Sequence, residues 1–201
     1  MLRGWLRTRM AWWVWLALGL LPLVWLLWRT FTDQLGANPA ETLIRATGDW
    51  TLRGLCLTLA VTPLRVLLGV PELLRFRRLL GLLTFGYACL HLLCYTGFDM
   101  GFDWADIARD IPKRPFVLVG TLAFALLLPL AATSWNGAIR RLGAKRWQAL
   151  HRSVYAIAVL AVLHFWWMRT GKRNFTEVWV YGLILAGLLG WRVPRGLKKL
   201  L

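Results

Sequence analysis

With 201 residues, 58% of them hydrophobic and 17% charged, the chain has the composition of a polytopic membrane protein and not of a soluble domain. Its net charge of +16 does not point to nucleic acid, because the charges divide by side: with both termini inside, sixteen of the 25 Lys and Arg fall on the inner face and nine on the outer, the positive-inside pattern. Eight of the nine acids fall outside, with Glu72 the exception, so a strongly basic inner face lies against anionic lipid.

Apolar runs near residues 11–28, 50–69, 79–96, 115–133, 150–168 and 176–192 are each long enough to cross a bilayer alone or with modest tilt. The expected fold is therefore all-α, a polytopic membrane helical bundle of six transmembrane helices with both termini cytoplasmic and one domain over 1–201. Arg3, Arg7 and Arg9 flank the first run and no small-residue cleavage site follows it, so it is expected to be a retained helix and not a signal peptide. After it, Asn38-Pro39 marks a turn and Pro39-Ala40-Glu41 the start of a short interfacial helix. The second run ends in Thr62-Pro63-Leu64-Arg65, where proline is expected to break or kink the helix. The third carries His91 and the small residues Gly81, Gly86 and Ala88, which let a neighbouring helix or a flat cofactor come close.

Between Gly97 and Arg114, Asp99, Asp103, Asp106 and Asp110 alternate with Trp104 and Ile107, the pattern of a short amphipathic helix with an acidic, solvated face. These carboxylates lack the alternating ligands and central glycine of a calcium loop. The fourth run ends at Pro129, and Arg140, Arg141, Lys145 and Arg146 make the next loop basic. The fifth, Trp147 to Met168, reads as one helix with His151 at one end and His164 thirteen residues on. Cys56, Cys89 and Cys94 all fall within helices without metal-binding spacing and read as packing residues. Many of the fourteen tryptophans sit at run ends, where an amphipathic ring suits the interface. No internal repeat of fixed period is visible, although the third and fifth runs each place a histidine toward the outer end.

The three histidines carry the functional signal. A lone buried histidine more often bonds a neighbouring hydroxyl or carbonyl than a cofactor, but here all three lie in apolar helices. Thirteen residues span ~20 Å of helix. If Arg78 and His151 both mark the inner boundary, His91 lies thirteen residues above the first and His164 thirteen above the second, so the two upper histidines share a depth on separate helices. Two neutral imidazoles facing each other in a bundle are what a six-coordinate haem iron requires. On an ideal helix His151 and His164 point ~140° apart. At the depth of His151 the third helix offers Arg77 and Arg78, with Arg152 beside His151, so a lower haem would need an unusual sixth ligand or be five-coordinate.

Other function classes fit less well. A proton or ion transporter could use intramembrane histidines, but Asp and Glu occur only near the span ends. A hydrolase would need a nucleophile, and the only serines, Ser134 and Ser153, lie outside any GxSxG pattern; HExxH is absent as well.

The segments TPLR at 62–65, RRLLGLLTFGYACLH at 77–91, RDIPKRPF at 109–116, PLAATSWN at 129–136 and RRLGAKRWQALHRSVY at 140–155, followed by His164, resemble the ferric-reductase-like transmembrane proteins over nearly the whole chain. The resemblance implies b-type haem with His91, His151 and His164 as iron ligands, a flavin mononucleotide (FMN), and electrons from quinol or an inner-side flavin reductase. It implies a place in the bacterial inner membrane and a periplasmic molybdopterin-dependent methionine sulfoxide reductase as partner, for repair of oxidised proteins. The chain would then be an electron-transfer subunit with no substrate-converting site of its own. Diheme relatives carry two histidines on each of two helices, and this chain departs from that pattern at Arg77 and Arg78.

Overall fold

A computed structural model describes residues 2–172 and 174–192, all in helices, turns and short connections. Arg173, Arg195, Lys198 and Lys199, which enter the charge division above, lie outside the described residues. The chain forms two compact units, Met1–Asp103 and Trp104–Leu201.

The first unit contains α1 (Leu2–Leu6), α2 (Arg9–Phe31), α3 (Pro39–Leu67) and α4 (Leu74–Cys94). The Thr8 hydroxyl caps α2 by accepting the Ala11 N–H at 3.2 Å. Within α2, the Tyr87 hydroxyl of α4 donates to the Gly19 carbonyl at 2.8 Å and accepts from the Leu23 N–H at 3.2 Å. That pair is one turn apart beside Pro22, where proline loosens the helix ladder.

Residues 39–67 form one continuous helix, so the short interfacial helix and the second span expected from the sequence merge. The Asn38 side chain accepts the Glu41 N–H at 3.1 Å and Pro39 occupies the first turn, which starts α3 firmly. The helix continues through polar residues in its middle, where the Thr47 and Thr51 hydroxyls are satisfied by donating to the carbonyls of Leu43 and Thr47 at 2.8 and 2.9 Å. Pro63 does not end the helix, which continues to Leu67. Helices α3 and α4 pack closely, with a Cβ on Gly54 falling 2.6 Å from Thr84 Oγ1.

At the start of the unit, α1 is fastened to the connection before α4. Arg7 pairs with Glu72 at 2.6 Å, Arg3 donates to the Gly69 carbonyl at 2.5 Å, and Arg75 donates to the Leu6 carbonyl at 2.8 Å. Beneath these bonds Leu6, Ala11 and Phe76 form a buried cluster, with Trp15 stacked on Phe76 at 5.2 Å. Beyond α4 a π-helical turn, Tyr95–Asp99, leads into a reversal where Gly101 and Phe102 have φ of 56° and 61°. The Phe102 N–H donates to the Thr96 carbonyl at 2.7 Å, which holds that left-handed conformation.

The second unit contains α5 (Trp104–Lys113), α6 (Pro115–Ala132), α7 (Asn136–Leu142), α8 (Ala144–His151), α9 (Val154–Arg169) and α10 (Thr176–Gly190). As expected, α5 is a short amphipathic helix, burying Ile107 and exposing Trp104. Arg114 grips Asp110 through Nε, 2.7 Å from each carboxylate oxygen. The short α7 was not expected; it ends at Gly143, whose φ of 77° suits glycine. The single helix expected from Trp147 to Met168 is broken at Arg152-Ser153. There the Ser153 N–H reaches only three residues back, to Leu150 at 3.0 Å, and the Arg152 N–H is shared between Gln148 and Ala149. The ~140° offset between His151 and His164 assumed an unbroken ideal helix, which this tight turn interrupts.

Among the described residues four helical stretches are long and apolar enough to cross a membrane: Arg9–Phe31, Pro71–Asp99, Pro115–Ala132 and Ala144–Arg169. Of the other two expected spans, that at 50–69 lies mostly within α3 and carries Arg53 and Arg65, and α10 has 15 residues.

Candidate functional site

His91 lies in the last turn of α4, its Nδ1 2.9 Å from the Ile44 carbonyl of α3. A carbonyl only accepts, so Nδ1 carries the proton and the ring's lone pair is on Nε2. His164, on α9, repeats the arrangement in the second unit: its Nδ1 lies 2.6 Å from the Phe116 carbonyl of α6. In each unit the ring rests on a glycine. A Cβ on Gly48 would stand 3.1 Å from His91 Nδ1 and Cε1, and one on Gly120 would stand 2.8 Å from His164 Nδ1. Beside the Phe116 turn, Pro115, Phe116, Trp167 and Thr170 line a cavity of about 330 Å³.

His151 is held differently. Its Nε2 is 2.9 Å from Thr133 Oγ1, and that hydroxyl donates to the Pro129 carbonyl at 2.6 Å. With its proton so used, the hydroxyl accepts from Nε2–H, which places the ring's lone pair on Nδ1. Trp147 stacks on the imidazole at 3.9 Å while its indole N–H donates to the Thr133 carbonyl at 2.9 Å.

A metal-ligating histidine characteristically donates its second ring N–H to a carbonyl or carboxylate, which fixes the tautomer and strengthens the donor. His91 and His164 meet this test and fit haem iron through Nε2. His151 in this arrangement presents Nε2–H to Thr133, so ligation through Nε2 would require that bond to open. The arginines proposed as neighbours of a lower site fall on both units: Arg77, half-buried, and Arg78, exposed, on α4, and Arg152, exposed, immediately after His151. Among the described residues no group of three or more His, Cys, Asp or Glu forms a metal cluster, and Cys56, Cys89 and Cys94 are free thiols.

Gly86, expected to let a neighbouring helix or a flat cofactor come close, lines an apolar groove between α2 and α4 with Leu16, Leu20, Leu83 and Leu90. The glycines touching the histidines, Gly48 and Gly120, escaped notice, as did the carbonyls of Ile44 and Phe116 and the Thr133–Trp147 support of His151. One available signal was the spacing, because each carbonyl precedes its histidine by nearly the same distance, 47 and 48 residues.

Residues 13–162 match the family model described as ferric reductase like transmembrane component. The chain belongs to that family. The ferric-reductase-like match runs from α2 into α9, takes in His91 and His151 and ends two residues before His164, and with the apolar helices it makes the chain a membrane protein. Among curated relatives, one from Polaromonas naphthalenivorans is 67% identical over 87% of this chain and 80% of its own length. Another from Herminiimonas arsenicoxydans is 56% identical over 82% of this chain and 75% of its own. A third, from Ralstonia nicotianae, is 54% identical over 92% of this chain and 87% of its own. All three are named protein-methionine-sulfoxide reductase heme-binding subunit MsrQ. No solved structure matches the chain.

Proposed function

We propose that this chain is a haem-binding membrane electron-transfer subunit serving a methionine sulfoxide reductase. The observation that carries the proposal is the pair of histidines, His91 and His164, each donating Nδ1–H to a backbone carbonyl, in a chain so similar to relatives named as heme-binding subunits. Haem b is the group proposed, which His91 and His164 would hold through Nε2; their pairing rests on the matched depth read in the sequence. When bound, haem supplies reversible one-electron chemistry. The chain's own residues fix the ligand tautomers, orient the rings through α3 and α6, and surround them with apolar side chains.

The finer assignments belong to the same proposal. The chain forms one domain over 1–201 in the bacterial inner membrane, with six spans and both termini cytoplasmic. Quinol or an inner-side flavin reductase donates the electrons, and a periplasmic molybdopterin-dependent methionine sulfoxide reductase accepts them. His151, with Arg77, Arg78 and Arg152, acts on the donor side as a ligand to a second haem or beside the donor. FMN is included on family resemblance alone. Asp99, Asp103, Asp106 and Asp110 offer the partner an acidic surface, in which Asp106 pairs with Arg109 and Asp110 with Arg114.

The absorbance spectrum of the purified protein, oxidised and then reduced with dithionite, tests the proposal. Low-spin haem b bands are expected. Their absence from protein purified out of haem-replete cells would contradict it and favour a membrane transporter that uses the same histidines.

A further inference from the structure

The geometry points to Gly48 and Gly120 as positioning residues for the two ligand imidazoles, each keeping clear the strip of helix on which a carbonyl meets the ligand's Nδ1. The inference rests on the ligation by His91 and His164 proposed above. In both units the carbonyl and the glycine lie four residues apart on one helix, Ile44 and Gly48 on α3, Phe116 and Gly120 on α6. Residues at this spacing share a helix face, and every Cα–Cβ bond tilts toward the N-terminus. A side chain at position 48 or 120 would therefore project toward the carbonyl one turn earlier, into the space the imidazole occupies.

The two contacts differ in severity. A methyl on Gly120 would come 2.8 Å from His164 Nδ1 and 2.9 Å from Cε1, so the ring must move. A methyl on Gly48 would stand 3.1 Å from His91 Nδ1 and Cε1, which a shift of a few tenths of an ångström relieves. Neither ring swings away freely, because its Nδ1 is tied to a carbonyl and displacement stretches that bond. The N–H···O=C bond raises the donor strength of the opposite nitrogen, and a stronger donor favours ferric over ferrous iron. The glycines thus hold the haem at a lower potential than weakly oriented imidazoles would. Use of one device in two separate units argues against chance packing.

Redox titration of purified Gly48→Ala and Gly120→Ala, with Gly54→Ala as control, tests this. Gly54 packs in the same α3–α4 interface, but its methyl would meet Thr84 Oγ1 at 2.6 Å and no histidine. The expected result is retained haem with a raised midpoint potential, more so in Gly120→Ala than in Gly48→Ala, and an unshifted potential in Gly54→Ala. If Gly120→Ala fails to insert, the milder Gly48→Ala carries the test. Parent potentials in both glycine variants, or an equal shift in Gly54→Ala, would overturn the positioning role while leaving ligation intact. His91→Ala and His164→Ala proteins with unchanged haem spectra would overturn ligation, and this inference with it.

Discussion

The two units solve one problem in the same way and then diverge. In each, a histidine from one helix donates to a backbone carbonyl of its neighbour across a glycine. The second unit adds His151, whose partner is a hydroxyl and whose face is covered by Trp147. In the first unit an ion pair and a buried aromatic cluster fasten the N-terminal helix instead. The lesson is that the partner atom decides what a buried imidazole offers. A carbonyl forces Nδ1–H and puts the lone pair on Nε2, whereas a hydroxyl already donating elsewhere forces Nε2–H.

This comparison can be broken at the parts peculiar to each unit. Phe76 is 1% exposed at the centre of the first unit's cluster, so Phe76→Ala should give the largest loss, about 3–5 kcal/mol of stability. The check is the thermal unfolding midpoint in detergent; a midpoint equal to the parent's would show that the cluster contributes nothing. In the second unit, Thr133→Val keeps the shape but leaves the His151 Nε2–H without its acceptor, at a cost of about 1–3 kcal/mol. The haem bands attributed to His164 should persist in that variant, since its carbonyl partner is Phe116. Loss of those bands would mean that the two histidine supports are not independent.

The smallest effect is expected at the Arg7–Glu72 pair. The Arg7 side chain is 73% exposed, so its own attraction is screened, while Glu72 is 5% exposed and loses its hydrogen-bonded partner when Arg7 is removed, leaving the weaker attraction of Arg3. Arg7→Ala should therefore loosen α1 more than Glu72→Gln, which removes the buried charge itself. Protease cutting near Trp5 measures this, and equal cutting in both variants would show that the buried charge is immaterial.

How much of this was legible in the sequence depended on the kind of signal. Apolar runs, the amphipathic Trp104–Lys113 helix and the placing of all three histidines in helices followed from periodicity. Continuity of α3 was hidden because Thr47-Gly48-Asp49, just ahead of the expected span at 50–69, looks like a loop, whereas in the structure the Thr47 hydroxyl bonds back into the helix. The break after His151 was hidden because Arg152-Ser153 contains neither glycine nor proline. Gly48 and Gly120 were invisible for a different reason: a backbone carbonyl has no letter in the sequence, and a glycine's role emerges only when the ring beside it is placed.

The central claim is that a histidine donating Nδ1–H to a carbonyl is an iron ligand here, and that His151, donating through Nε2, does not share that role at the same iron. Reduced-minus-oxidised spectra of His91→Ala, His164→Ala and His151→Ala, each at equal protein concentration, test it most directly. Loss or conversion of the low-spin signal is predicted for the first two, and a retained signal for His151→Ala. A low-spin spectrum surviving unchanged in His91→Ala and His164→Ala, or vanishing altogether in His151→Ala, would contradict the account.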